Sequence, residues 1–164
     1  MDIKAALKGQ YHAALAMLRA AVERCPDELW LSERHVNRTW RVAYHAVFYG
    51  HLYLMPSEAD FAPWEGHREE SQFLGRLPWP PHDLPKSGEP YARADVLRYL
   101  GRVDALVDPT LDRMDLGSAD SGFWWYRMPK LDHLLLSVRH VQHHAGQLAE
   151  RLRVEADVGL DWRA

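Results

Sequence analysis

One cysteine, Cys25, occurs in 164 residues. It can form no internal disulfide and no cysteine-based zinc cluster. It lies just past a helical pattern with no histidine beside it, which is a poor setting for a cysteine nucleophile. No stretch approaches eighteen apolar residues, so no membrane span is expected. Basic charge is not in excess: 20 Lys and Arg stand against 23 Asp and Glu, a net charge of -3. A general nucleic-acid binder would carry a basic face, so none is expected here. The sequence has no His-Glu-x-x-His, which argues against a zincin peptidase. Gly-x-Gly-x-x-Gly, the P-loop and the paired Glu-x-x-His of di-iron bundles are missing too. Sustained two-residue alternation is also absent, so no sheet is expected. The opening Met1-Asp2-Ile3-Lys4 begins an amphipathic pattern rather than a signal segment, and the expected location is the cytoplasm.

What is present is apolar and helical. Hydrophobic residues make up 47% of the chain, enough for the core of one domain over residues 1–164. Four segments carry helical periodicity. The first spans about Asp2 to Arg24, with Asp2 as its cap and Leu7, Tyr11, Ala14, Leu18 and Ala21 as its stripe. The second spans about Arg38 to Leu54, with Asn37 as a cap and Pro56 as a stop. The third spans about Ala92 to Val107, closed by Pro109. The fourth spans Lys130 to Arg153, entered through Pro129. Residues 56–90 hold seven of the ten prolines. So long a linker is unusual in a compact domain, but parallel neighbours in a four-helix bundle need a long crossover. Trp64, Phe73, Leu74, Leu77 and Trp79 are expected to pack it onto the helices. A second aromatic run, Phe123-Trp124-Trp125-Tyr126, precedes the last helix.

Ten histidines are many for this length. The run His140-Val141-Gln142-His143-His144 lies in the last helical segment. Residues four apart stack on one helix face, so His140 and His144 can reach one metal ion together. At about 100° per residue, His144 falls toward the core and His143 turns away from it. His133, Ser137, Gln147 and Arg151 share the His140 stripe, and Arg139 lies on another face. In the second segment His45 shares an apolar face with Val42, Phe48, Tyr49 and Leu52, whereas His51 is turned away toward solvent or a partner. A lone histidine on an apolar face is more often a hydrogen-bonded core residue than a ligand. If the second and fourth segments pack together, however, His45 meets His140 and His144. Three imidazoles then leave coordination positions open, the pattern of a catalytic rather than a structural zinc site.

Tyr44-His45 together with His140-x-x-His143-His144-Ala145-Gly146-Gln147 resembles the DinB-like superfamily of metal-binding proteins. Segment order and lengths agree over nearly the whole chain. Ala145 departs from the pattern, since many members carry arginine there. The resemblance implies an all-α, up-down-down-up four-helix bundle with a long crossover between helices two and three, often a homodimer. It also implies a divalent metal, commonly zinc or nickel, held by His45, His140 and His144. Better-understood relatives are transferases and isomerases that use a low-molecular-weight thiol such as bacillithiol, mycothiol or glutathione. The expected function is thus a metal-dependent, thiol-using transferase or hydrolase acting on a small molecule. The alternative is a non-catalytic metal-binding or stress-response interaction protein. A general base is not evident: the nearest acidic residue in sequence, Asp132, is two helical turns away. Gln147 and Arg151 are the residues expected to steer an anionic substrate.

Overall fold

The computed structural model describes residues 2–86 and 88–163. It is all-helical, with no strand among the described residues. No described helix is long and apolar enough to cross a membrane. In chain order the helices are α1 (Ile3–Glu23), the short α2 (Asp27–Trp30), α3 (Thr39–Leu54), α4 (Arg93–Arg113) and α5 (Lys130–Ala156). A 3-10 turn, Glu58–Asp60, follows α3.

The ends of these helices follow local chemistry. Asp2 caps α1, its carboxylate accepting from the Ala5 amide at 3.0 Å. The first residue outside α3 is Arg38, not Asn37, and it makes no side-chain cap. Pro109 was expected to close α4, yet the helix runs through it to Arg113. Pro109 and Ala105, whose carbonyl loses its partner, are both exposed, so the freed group is open to solvent. Helix α5 likewise passes Arg153 and ends where Asp157 turns left-handed at φ 53°.

α5 packs against α1 and α3, and α4 packs against the same two helices. α3 is therefore covered by α4 and α5, and the crossover seals what remains. Trp64 of the crossover stacks on Tyr99 (5.1 Å between centroids), and Tyr91 stacks on Tyr44 (4.2 Å). The Tyr91 hydroxyl ties the segment by donating to the Gly66 carbonyl (3.0 Å) and accepting from the Arg68 amide (2.7 Å). Trp64 and Leu77 are buried as expected; Trp79 is half exposed and meets Phe73 edge-on.

This wrapping corrects the expectation for His51. It is only 3% exposed, with Nδ1 3.0 Å from the Tyr99 hydroxyl and its ring against Phe61. A helix enclosed on all sides has no solvent face for it to occupy. One glycine sets how closely the site's two helices approach: a Cβ on Gly50 would lie 3.0 Å from Val141 Cγ2. The missing side chain lets α3 settle onto α5.

Candidate metal centre

α3 presents His45 toward α5, and α5 presents His140 and His144 from successive turns. Each of the three offers a ring nitrogen, and these nitrogens all lie within 4.8 Å of one another. His45 Nε2 and His140 Nε2 are 3.0 Å apart. The ring centroids form a near-even triangle of 5.0, 4.6 and 4.6 Å.

The outer hydrogen bonds fix which nitrogens point inward. His45 Nδ1 donates to the Gln72 carbonyl at 2.6 Å. A carbonyl only accepts, so Nε2 of His45 carries the free lone pair. His144 Nδ1 donates to Gln147 Oε1 at 3.0 Å, which frees its Nε2 in the same way. His140 Nδ1 is buried with no hydrogen-bond partner among the described residues. Burial keeps the cluster neutral. It pushes His45 down to about 3 against the opposing Gln72 bond, with smaller contributions from His144 and His140. Burial, then His144 and His143, pushes His140 down to about 4. His144 is lowered by burial, opposed by its bond to Gln147. Neutral imidazoles are the form that binds a metal.

This donor set fits a divalent ion. Two nitrogens each ~2.1 Å from one ion are about 3.0 Å apart at right angles and about 3.4 Å apart at the tetrahedral angle. The observed 3.0 Å between His45 and His140 lies at the tight end of that range. Two of the three histidines already have the outer acceptor that ligating histidines need.

A cleft of about 490 Å³ reaches the cluster at His140. Tyr126, Leu136, Arg139, Gln142 and His143 complete its wall, with no carboxylate among them. The expected steering residues are engaged elsewhere. Arg151 donates to the Asn37 carbonyl and Thr39 Oγ1, both at 3.1 Å, and Gln147 holds His144. Arg139, set aside on its helix angle, stands on the cleft wall instead. Of the second aromatic run, Tyr126 lines the cleft and Phe123 is buried, while Trp124 is 77% exposed. His143 is exposed at the mouth, as its angle predicts.

Two contributions were invisible in the sequence. The Gln72 carbonyl is a backbone atom in a loop, for which side-chain patterns carry no signal. Lys130, at the start of α5, is buried and donates from Nζ to the Pro56 carbonyl (2.6 Å) and to the Ser121 carbonyl. It thereby pins the entrance of the histidine helix to the end of α3. No protein-family model, curated protein or solved structure matches the chain.

Proposed function

We propose that this chain is a DinB-like, up-down-down-up four-helix bundle that holds one divalent metal, zinc or nickel, through His45, His140 and His144. The observation that carries the reading is the convergence of three neutral imidazoles from two helices on one point. Pairwise packing of four long helices and the long crossover support the bundle topology. When bound, such an ion acts as a Lewis acid and lowers the pKa of an acidic ligand at its open positions.

The rest of the chemistry belongs to the chain. The cleft at His140 admits a small molecule, and Tyr126 and Leu136 give it an apolar wall. Arg139 draws an anionic end to the rim. His143, exposed beside His140, is the wall imidazole that an incoming thiol would meet. These features support a thiol-using transferase or hydrolase. In the transfer, the thiol sulfur bonds to an electrophilic carbon, the leaving group departs with its electron pair, and the thiol proton goes to the wall. The exposed Trp124 and Leu135 support a homodimer contact, which light scattering across a wide concentration range would test.

The second reading, a non-catalytic metal-binding or interaction protein, is favoured by the direct approach of His45 Nε2 to His140 Nε2. The deciding experiment incubates metal-loaded protein with low-molecular-weight thiols and electrophilic acceptors. Metal-dependent consumption of thiol supports the transferase. Stoichiometric metal with no thiol binding selects the second reading.

A further inference from the structure

α5 carries a second set of groups that the metal reading does not use. His133 and Ser137 are both fully buried at 0% exposure. Among the described residues neither ring nitrogen of His133 nor His140 Nδ1 has a hydrogen-bond partner, and Ser137 Oγ has at most the Tyr11 phenol beside it. The three residues lie at spacings of four and three, so they form one strip along one face of the helix. Tyr11 closes the strip from α1. Its phenol is raised by burial and lowered in part by a hydrogen bond from the neighbouring Ser137 hydroxyl, and its own proton reaches the Leu134 carbonyl at a stretched 3.4 Å. The far end is sealed by aromatic rings: Phe123, Tyr53 and Tyr126 pack 4.7, 5.1 and 5.3 Å from the His133 ring.

Leaving such a strip unpaired is expensive. Each buried polar group left unpaired costs roughly 1–3 kcal/mol. Interiors meet such groups with ordered water, which needs two to four polar partners. Side chains three or four apart on a helix have Cβ atoms about 5–6 Å apart. One water with two hydrogen bonds of about 2.8 Å at the tetrahedral angle spans about 4.6 Å, so it bridges polar atoms that lean toward each other from those positions.

We infer that Ser137, His133 and His140 Nδ1 build an internal site for ordered water, and that this water is the outer support of His140. The support role rests on the metal reading. His45 is oriented by the Gln72 carbonyl and His144 by Gln147. Of the three, His140 alone has no acceptor for its outer N–H among the described residues, and the Ser137 hydroxyl one turn away supplies one through water. His133, one turn further, holds the hydroxyl or a second water in place. His133 and Ser137 are positioning residues that touch no substrate.

Two measurements test this. A crystal structure at a resolution that shows ordered water is expected to place one within hydrogen-bonding distance of Ser137 Oγ and His140 Nδ1; a dry strip overturns the inference. The second is cobalt affinity, with the visible spectrum of the bound ion, for wild type, S137A, S137T, H133F and H133N. Loss of an outer partner lowers metal affinity about 10- to 100-fold. S137A and H133F are expected to show that loss and a shifted cobalt spectrum, while S137T and H133N recover toward wild type. A purely structural role would change melting temperature without changing the spectrum. Wild-type affinity in S137A and H133F overturns the support role alone. Wild-type protein that takes up no cobalt overturns the metal reading itself.

Discussion

Acid should unfold the metal-free protein at an unusually high pH. The perturbation is proton uptake by histidines that the fold keeps neutral. Burial pushes His45 down to about 3, and His51, His133 and His140 down to about 4. In the unfolded chain each titrates near 6.5. Below that pH the unfolded state binds more protons, so stability falls as pH falls and levels off only near the folded values. At pH 5 each group lies about 1.5 pH units below its unfolded pKa, which at 1.36 kcal/mol per unit is about 2 kcal/mol. Four such groups remove about 8 kcal/mol, comparable to the whole stability of an ordinary domain. His12 works the other way: despite partial burial, Asp104 and Asp108 raise its pKa, so its contribution grows as pH falls. The assay is urea denaturation between pH 5 and 8 with a chelator, followed by fluorescence of the 7 tryptophans. The slope near pH 5.5 should approach about 5 kcal/mol per pH unit. A midpoint that stays constant from pH 8 to 5 would refute the reasoning, because it would mean that these histidines are not held neutral.

Two substitutions probe how the site is held. Gly122 sits at φ 82°, and a Cβ there would come within 2.2 Å of the Pro56 carbonyl, so G122A should lower stability by roughly 2–4 kcal/mol in thermal or urea unfolding. Removing the Lys130 ammonium strips one buried and one partly buried carbonyl of their donor, so K130A should lower stability by roughly 2–3 kcal/mol and weaken metal binding by loosening the start of α5.

The helices were legible because apolar stripes at helical spacing reflect burial directly, and Asp2 carried a readable cap. The site's histidines were legible for the same reason. His140 and His144 sit four apart on a core flank, and His45 lies on an apolar face. His51 was misread because an angle on one helix says nothing about what covers its far side, and the crossover supplies that cover. Pro109 was misread as a stop because its freed carbonyl partner faces water. Arg139 was set aside on its angle, yet the cleft opens on that flank. Whether a flank is filled or open is decided by tertiary packing.

Metal content is the most direct test of the central claim. The protein is purified without a nickel column, and metal is counted per chain by elemental analysis for wild type and for H45A, H140A, H143A and H144A. One divalent ion per chain is expected in wild type and in H143A, and none in stoichiometric amount in the other three. Wild-type protein without metal after exposure to zinc and nickel would contradict the account, as would loss of metal in H143A with retention in H144A.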